Sequence, residues 1–496
     1  MNPDPTRVPV VVGVGQSIER EQRVDVVDLA ERAARAAFDD APGLEHRVER
    51  LSMVAVSFSK VGRAPASRLA ERLGLQGVSC EVTTPGGNTP QWLVHRAASE
   101  IAAGRLGGTL ICGAEATRSM RLSDPDADFL SAGRPETRSE DETPDVVVGP
   151  SVRGMLGPAE IQAQLIRPAE IYPIFESVLA ARAGQTLSAW RDHLGGFLSR
   201  FTEVAAQNPH AWFRERLSPE DIARPSASNR LTAEPYTKRM NSFAHVDQGA
   251  ALLVTSQAHA RAAGLEDRCV FPRTGATLSD VTPAARPDLG ASPAIRAAAR
   301  AVFEGAGVDV DEVGSFDLYS CFPVAVEIGA AEIGLALDDA RGLTRTGGLP
   351  FFGGPGNDYT THAIAASVLW LREHGGLAYV SGNGGLLSKH SIGLYGAEPA
   401  PEGYVSADLS GVQERITAAG IEVLEEASGV ATVVGGTVVY GREGEVRSAP
   451  VIARLPDGRR VVANASEEVL PDLAGRSLVG ERILVDGKPP SYRPAR

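Results

Sequence analysis

Short apolar runs alternate with helical patterns over roughly the first hundred residues. Runs such as VPVVVGVG, LSMVAVSF and GTLICGAEA have the length of buried strands, whereas VVDLAERAARAAF, ASRLAERLG and TPQWLVHRAASEIAAG carry apolar residues at helical spacing. This alternation is typical of parallel strands joined by crossover helices. The first region is therefore predicted to be a layered α/β structure.

The central part of the chain has a different pattern. Between residues 119 and 240 the strand-like runs fade, and helical stretches such as AEIQAQLI and LSAWRDHLGGFLSRFTEVA take their place. Strands resume at SFAHVDQGAALLVTS, and the alternation returns through PAIRAAARAVFEGAG and HAIAASVLWLREHGGLAYVSGNGG. This order predicts a mostly helical domain inserted into an α/β core.

Two glycine-rich turns mark an internal repeat. PGGN ends at Asn88 and GPGN ends at Asn357, and each is followed by a helix pattern and then a strand. Those strands end at Gly113 and Gly382, so both Asn-to-Gly separations are 25 residues. Matching turns, helix lengths and strands favour a duplicated α/β unit. The two helix N-termini are then expected to face each other across a pseudo-twofold axis.

The pattern changes again after Gly396. GAEPAPEGY is typical of a linker, and one helix pattern is followed by short β runs punctuated by Gly-Gly and Asp-Gly. They predict a small antiparallel barrel or sandwich of roughly 70 to 90 residues. Residues 397–496 carry 11 Lys or Arg against 15 Asp or Glu. The net charge of -4 argues against a barrel that binds nucleic acid.

Charge and cysteine content narrow the function classes. The net charge of -13 gives no long-range attraction to nucleic acid or to an anionic membrane, and no apolar run has the length of a membrane span. The four cysteines are dispersed without a CxxC pair, and no signal peptide precedes VPVVVGVG. These features predict a cytoplasmic protein without a disulfide framework or a metal site.

Four blocks give the chain a family resemblance. VDQGAALLVTS, YSCF, GGPGN and VSGNGG follow the order and spacing of blocks in the thiolase superfamily, over about residues 7–395. The sequence resembles the sterol-carrier-type thiolases most, and its β-rich tail resembles the thiolase-like protein type 1 subgroup, whose members are often labelled acetyl-CoA acetyltransferases. The resemblance implies an α/β fold with a duplicated αβαβα core, a helical loop insertion and a C-terminal antiparallel β-barrel.

Domain limits follow from the patterns and the resemblance together. They are 1–118 with 241–262 for the first thiolase half, 119–240 for the loop domain, 263–396 for the second half and 397–496 for the barrel.

The same resemblance implies that the catalytic residues of thiolases are absent from this chain. The position of the nucleophilic Cys, which a helix N-terminus activates, aligns with Gly86. The activating His aligns with Gly354, and the second, acid/base Cys aligns with Ser381. A hydroxyl does not replace a thiol as an acid or base near neutral pH unaided. Thiolysis or Claisen condensation through an acyl-cysteine is therefore not expected.

Backbone amides at the two turns remain as candidate oxyanion holes. They belong to Gly86, Gly87 and Asn88 in the first half and to Gly356 and Asn357 in the second. N–H groups at a helix N-terminus stabilise negative charge on a thioester oxygen. The alternative is that these glycines only permit tight strand-to-helix turns.

Tyr319, His362, His390 and Ser381 are the candidate acid/base side chains. The resemblance supports Tyr319, because thiolase-like aldolases of steroid side-chain degradation have Tyr in this block and depend on a partner with a β-barrel. They have a second Tyr after the glycine turn, to which Tyr359 corresponds with an offset of one residue. The alternative for each residue is a structural role, as for the Cys321 thiol.

Lys238 and Arg239 are candidate ligands of the CoA phosphates, since in thiolases the loop domain holds the nucleotide. A solvated surface patch is the alternative. CoA or acyl-CoA is expected as substrate or ligand, with no tightly bound cofactor. The chain is expected to be a monomer or homodimer, with a further protein partner as an option for the barrel.

Three hypotheses for function follow. The first is a non-thiolytic enzyme of lipid metabolism that acts on acyl-CoA, as an acyltransferase or as an aldol-type lyase of 3-hydroxyacyl-CoA. The second is a catalytically silent binder of acyl-CoA or lipid. The third is a structural protein whose barrel recruits another enzyme.

Overall fold

The computed structural model describes residues 3–125, 143–151 and 155–495. Its helices, numbered within these residues, are α1 (Val26–Asp40), α2 (Pro65–Leu73), α3 (Thr89–Ala102), α4 (Thr117–Ser123), α5 (Pro158–Gln162), α6 (Pro168–Arg182), α7 (Leu187–Gln207), α8 (Pro219–Ala223), α9 (Gln257–Ala262), α10 (Pro293–Ala306), α11 (Pro323–Glu332), α12 (Tyr359–His374) and α13 (Ser410–Ala418).

Its strands are β1 (Pro9–Ile18), β2 (Arg50–Met53), β3 (Ser79–Thr83), β4 (Gly108–Ala116), β5 (Val146–Val148), β6 (Leu231–Ala233), β7 (Tyr236–Thr237), β8 (Asp247–Ser256), β9 (Phe271–Ser279), β10 (Ser315–Asp317), β11 (Leu377–Gly384), β12 (Lys389–Gly396), β13 (Val405–Ser406), β14 (Val423–Leu424), β15 (Gly429–Gly436), β16 (Val439–Tyr440), β17 (Val446–Ser448), β18 (Pro450–Arg454), β19 (Arg460–Ala465), β20 (Arg482–Gly487) and β21 (Pro490–Pro494).

Two similar sheets confirm the predicted duplication. The first has the order β1-β8-β4-β2-β3-β5 and the second the order β10-β11-β12-β9-β13. Strand β8 runs antiparallel to β1 and β4, and β12 runs antiparallel to β9 and β11. The sheets are therefore mixed rather than purely parallel, and β1, β8, β4 and β2 correspond to β9, β12, β11 and β10.

Helices α3 and α12 form the layer between the sheets. Each contacts the other and strands of both halves. Both are buried along most of their length, and small residues such as Ala97 and Ala363 allow the backbones to approach. Helix α1 covers the outer face of the first sheet, and α10 covers that of the second. The result is the expected αβαβα core.

The inserted region is less purely helical than its sequence predicts. Helices α6 and α7 dominate it, but β5 adds a parallel strand to β3, and β6 and β7 join a small sheet with β16 and β17. These strands contain only two or three residues, too few to show an alternating pattern. Tertiary pairing therefore decides their conformation.

The C-terminal strands close into a barrel. Strands β19, β18, β15, β20 and β21 follow one another around it, and β21 pairs back with β19. Inward residues such as Ala431 and Val433 alternate along β15 and form a separate hydrophobic core with Val451 and Val461. Directly after the predicted linker, β13 pairs with β9 of the second half.

Arginine side chains fix the barrel against the rest of the protein. Arg460 is buried, and its guanidinium donates to the carbonyl oxygens of Ala284, Arg286 and Pro287. Arg447 pairs with Glu170 of α6. The barrel is thus attached to both the second half and the insertion. In the part of the chain described, no helix is long and apolar enough to cross a membrane.

Candidate functional site

The two glycine-rich turns meet at the centre of the core. The Thr360 hydroxyl, in the first turn of α12, donates to the carbonyl oxygen of Gly87 over 2.5 Å. A Cβ on Gly382 of β11 would lie 3.0 Å from the Asn88 Cα, and one on Gly113 of β4 would lie 2.1 Å from an Asp358 oxygen. The predicted approach of the two helix N-termini is therefore confirmed, and glycine in both strands permits it.

The first turn presents backbone donors. Thr89 donates its N–H and its hydroxyl to the carbonyl oxygen of Gly86, over 2.9 and 2.7 Å, which tightens the turn before α3. Within residues 3–125, 143–151 and 155–495, the N–H groups of Gly87 and Asn88 form no hydrogen bond. They lie at the positive end of a 14-residue helix. This turn therefore has the donors that an oxyanion hole requires.

Tyr319 lies directly against that turn. A Cβ on Gly87 would be 2.3 Å from the Tyr319 hydroxyl oxygen, so no larger residue fits there without a shift. No described residue forms a hydrogen bond with this hydroxyl. Burial raises the pKa of Tyr319, so the phenol is protonated near neutral pH. It is a hydrogen-bond donor placed beside the free amides.

The second turn has less to offer a ligand. The Gly356 N–H donates to the carbonyl oxygen of Gly354 over 2.8 Å, and Asn357 donates its side-chain amide to Ala55 and Ser57. Gly356 has a φ of +54°, and a Cβ on it would lie 2.3 Å from a carboxylate oxygen of buried Glu115. The Gly356 amide is thus used within its own turn, unlike the amides of the first turn.

The space beside Gly354 is occupied. A Cβ on Gly354 would lie 2.2 Å from the Ser242 hydroxyl, and the Gly354 N–H donates to the carbonyl oxygen of Phe243. A side chain at this position would displace the Ser242 hydroxyl.

Ser381 and His390 lie near Tyr319. The Ser381 hydroxyl accepts the Tyr319 N–H over 3.0 Å, and both residues line a small closed cavity with His390 and Asn383. The His390 ring is buried, with Nε2 3.1 Å from the carbonyl oxygen of Leu387 and 3.3 Å from a carboxylate oxygen of Asp280. The structure therefore gathers three of the four predicted acid/base residues.

His362 is placed elsewhere. It lies one turn into α12, fully buried, with Nδ1 2.8 Å from the Gln16 side-chain oxygen and Nε2 3.7 Å from an Asp358 oxygen. Burial lowers the pKa of His362 well below its usual value, so the ring is neutral. The rings of Phe352 and Tyr359 lie between His362 and Tyr319, each ring in contact with the next.

Tyr359 and Cys321 are held in polar contacts of their own. The Tyr359 hydroxyl lies 2.6 Å from that of Thr346 and donates to Asp317 over 3.1 Å. The Cys321 sulfur accepts from the Asn383 side chain over 3.7 Å, and burial raises the pKa of its thiol to about 12. A thiolate at Cys321 is therefore not available near neutral pH.

Lys389 is a site residue that the sequence analysis missed. It begins β12 and is buried, and its Nζ donates to the carbonyl oxygen of Pro85. The Nζ lies 2.8 Å from the position a Cβ on Gly86 would take. Side chains alternate along a strand, so Lys389 and His390 lie on opposite faces. In the sequence Lys389 and His390 are simply adjacent residues of SKHS, so it does not show which of them faces the first glycine turn.

Lys238 and Arg239 form a short 3-10 turn just before β8. Lys238 is exposed, and Arg239 donates to the carbonyl oxygen of Asp221 over 2.8 Å. Among the described residues, no hydrogen bond or ion pair joins either of them to the glycine turns. No group of three metal-ligating side chains lies in the described part of the chain.

Comparisons with known proteins agree with this architecture. Residues 411–488 match the family model of the thiolase-like protein type 1 additional C-terminal domain. The structure of a monomeric SCP2-thiolase-like protein type 1 from Mycobacterium smegmatis is 32% identical, covers 99% of this chain and 100% of that chain, and superposes with a TM-score of 0.84. No curated protein matches the sequence.

Two more distant structures share the fold. An Ltp2-ChsH2(DUF35) aldolase is 18% identical, with a TM-score of 0.61, over 79% of this chain and 98% of that chain. An acetyl-CoA acetyltransferase from Syntrophomonas wolfei is 16% identical, with a TM-score of 0.58, over 79% of this chain and 99% of that chain. At these identities the likeness extends to the thiolase-type core only.

Proposed function

The chain belongs to the SCP2-thiolase-like protein type 1 family, and we propose that it binds an acyl-CoA at the first glycine turn without acting as a thiolase. The observation that carries this proposal is that the N–H groups of Gly87 and Asn88 and the adjacent Tyr319 hydroxyl form no hydrogen bond with any described residue. Three neighbouring donors suit the oxygen of a thioester, which gains negative charge as an enolate or a tetrahedral adduct.

We also propose that the protein does not catalyse thiolysis. Gly86 has no nucleophile, and Ser242 occupies the space beside Gly354. Cys321 lies in the same region, but burial raises the pKa of its thiol to about 12. Only the thiolate attacks a thioester efficiently. The ligand is therefore held as the intact thioester.

Two cations are proposed for the nucleotide end of the ligand. Lys238 is exposed and Arg239 is half-buried, and both lie where the inserted region returns to the core. Their charge offers phosphate oxygens charge-assisted hydrogen bonds that the acidic chain as a whole does not. We also propose that the protein is a cytoplasmic monomer, because the M. smegmatis relative is described as monomeric.

Calorimetry with CoA, acetyl-CoA and acetoacetyl-CoA tests the binding site. Gly87→Ala should weaken acyl-CoA binding at least tenfold, because the added methyl would lie 2.5 Å from the backbone carbonyl oxygen of Asn383 and 2.3 Å from the Tyr319 hydroxyl, so the turn and its amides would have to move. Gly196→Ala is the matched control, since a Cβ there meets no atom within 4 Å. If the parent protein binds no acyl-CoA at millimolar concentration, the proposal is wrong, and a structural or partner-recruiting role gains support.

A second candidate function is an aldol-type lyase of 3-hydroxyacyl-CoA. The observation that favours it is the unpaired Tyr319 hydroxyl against the free amides, because the amides stabilise the enolate while a phenol returns a proton. The raised pKa of Tyr319 fits proton donation rather than abstraction. His390 and Ser381 line a cavity with Tyr319, and we propose that they relay the 3-hydroxyl proton to the phenolate left after Tyr319 protonates the enolate.

Tyr319→Phe separates the lyase from the silent binder. The variant should lose release of a ketone or aldehyde from 3-hydroxyacyl-CoA thioesters and keep CoA affinity within about twofold. Unchanged turnover in the variant would eliminate Tyr319. If the parent binds acyl-CoA but turns over no short-chain, aromatic or steroid thioester, the lyase is excluded and the silent binder is favoured.

A further inference from the structure

Lys389 is a buried cation without a counter-charge. Its residue is 2% exposed, and among the described residues no carboxylate lies within ion-pair distance of its Nζ. The carbonyl oxygen of Pro85 is its hydrogen-bond acceptor. Burial of an ammonium without a paired anion is costly, so the structure favours the neutral amine or an incoming ligand.

The amine is directed at the first glycine turn. Its Nζ lies 2.8 Å from the position of a Cβ on Gly86, and the Asn88 side-chain oxygen lies 2.5 Å from that same position. The Asn88 oxygen is fully buried and has no hydrogen-bond partner in the described part of the chain. The amine and the unpaired amide oxygen therefore lie at the side-chain position of Gly86, in the turn that precedes α3.

The amine is also close to the surface. Pro85, whose carbonyl oxygen accepts from Nζ, is exposed, while Gly86 and Gly87 are buried. Within the described residues, Lys389 is the only lysine that is buried, because Lys60, Lys238 and Lys488 are all exposed.

We propose that Lys389 is a reactive amine that forms an imine with a ketone carbon of the bound ligand, which makes a 3-oxoacyl thioester the substrate class. This inference rests on the proposed binding of an acyl thioester at the first turn. The proposal places the thioester oxygen at the Gly87 and Asn88 amides and the ketone carbon, two carbons away, at Nζ.

The step is balanced without an oxidant or a reductant. The Nζ lone pair forms a bond to the ketone carbon, and the carbonyl π electrons move to oxygen. The oxygen then leaves as water with the two amine protons, and a C=N bond replaces the C=O bond. Burial lowers the pKa of Lys389 from its usual 10.5 to about 8, so roughly a tenth of the amine is neutral at pH 7.

A small 1,3-diketone tests the amine independently of CoA binding. Acetylacetone condenses with neutral lysine amines to a stable enaminone, and peptide mapping assigns the adduct among only four lysines. Lys389 should be labelled at least tenfold faster than Lys60, Lys238 or Lys488, with a rate that rises through about pH 8. Lys60→Met should keep the fast adduct, whereas Lys389→Met and Lys389→Arg should lose it.

The substrate class is tested by reductive trapping. Acetoacetyl-CoA with cyanoborohydride should give an adduct on Lys389 of the parent, and acetyl-CoA, which has no ketone, should give none. Labelling confined to the exposed lysines would overturn the reactive amine, and this result is obtained from the parent even if the variants fail to fold. Diketone labelling of Lys389 without calorimetric binding of acyl-CoA would instead overturn the thioester substrate and the proposed function with it.

Discussion

Glu176 and Glu327 form a buried carboxyl pair between the inserted region and the second half. Glu176 of α6 accepts from the Trp190 indole over 2.6 Å and from the Tyr236 hydroxyl over 2.5 Å. Burial, followed by the neighbouring Glu327 of α11, raises the pKa of Glu176, so one of the two carboxyls carries a proton near neutral pH. The half-exposed His193 lies 3.5 Å from a Glu327 oxygen. Replacing Glu327 by Gln should remove one titrating group from this pair and keep its shape.

The expected gain in stability of Glu327→Gln follows from the pKa of the Glu327 carboxyl. Burial raises its pKa from 4.5 to about 7. A raised folded-state pKa contributes stability that is fully present below pH 4.5 and is lost as the pH rises through 7. This shift in the pKa of Glu327 corresponds to about 3 kcal/mol of unfolding free energy. Because Glu327 is buried, screening by solvent reduces this value only slightly. Glu327→Gln should therefore be as stable as the parent at pH 4.5 and up to about 3 kcal/mol more stable at pH 8.

Urea unfolding at pH 4.5, 6, 7 and 8 measures this difference. Subtracting the variant from the parent cancels the titrating groups that do not interact with Glu327, and Glu414→Gln, on the exposed face of α13, controls for the loss of a surface charge. A protonated His193 would stabilise the ionised Glu327 and reduce the gain, so His193→Gln should restore it. A difference between parent and Glu327→Gln that does not change with pH would refute the buried proton.

Three further predictions follow from the structure. Acetyl-CoA should leave no covalent acetyl group on any cysteine by intact mass spectrometry, because Gly86 carries no thiol and the Cys321 thiol has a raised pKa; an acetylated cysteine would contradict this. Lys238→Ala and Arg239→Ala should each weaken CoA binding by about 1.5 to 3 kcal/mol in calorimetry, and an unchanged Kd would move the nucleotide site elsewhere. Arg460→Met should release the barrel from residues 284–287 and speed its proteolysis at least tenfold without changing CoA affinity, whereas unchanged proteolysis would show that the barrel is held by other contacts.

The repeated core could be predicted from the sequence because the close approach of the two halves requires glycine at matching positions. The strands were expected to end at Gly113 and Gly382, but β4 continues to Ala116 and β11 to Gly384. The two glycines lie at equivalent positions inside these strands, and each is needed where the other half's helix N-terminus approaches. The equal Asn-to-Gly spacing in the two halves therefore reflects the same packing constraint in each half. Tyr319 was predicted from its block, and the structure places its hydroxyl against Gly87.

Other features depend on contacts between distant parts of the chain. Strands β5 to β7 are too short to carry a pattern, and their pairing partners lie in β3 and β16. Nothing local distinguishes His390 from His362 as a neighbour of Tyr319, because the distinction depends on which strand or helix each residue enters. Glu327 occupies a helical position among apolar residues, so its pairing with Glu176 is visible only in three dimensions.

The positions that align with the thiolase nucleophile and activating histidine are not empty. At Gly86 the position of a side chain is taken by the Lys389 amine and the Asn88 amide oxygen, and at Gly354 it is taken by the Ser242 hydroxyl. Polar groups from β12 and from the segment before β8 therefore lie at both positions. Among the described residues no carboxylate pairs with Lys389, and a buried lysine without a counter-charge is unfavourable for stability. Its place beside Gly86 is therefore a reason to test it as a reactive or ligand-binding group rather than as a packing residue.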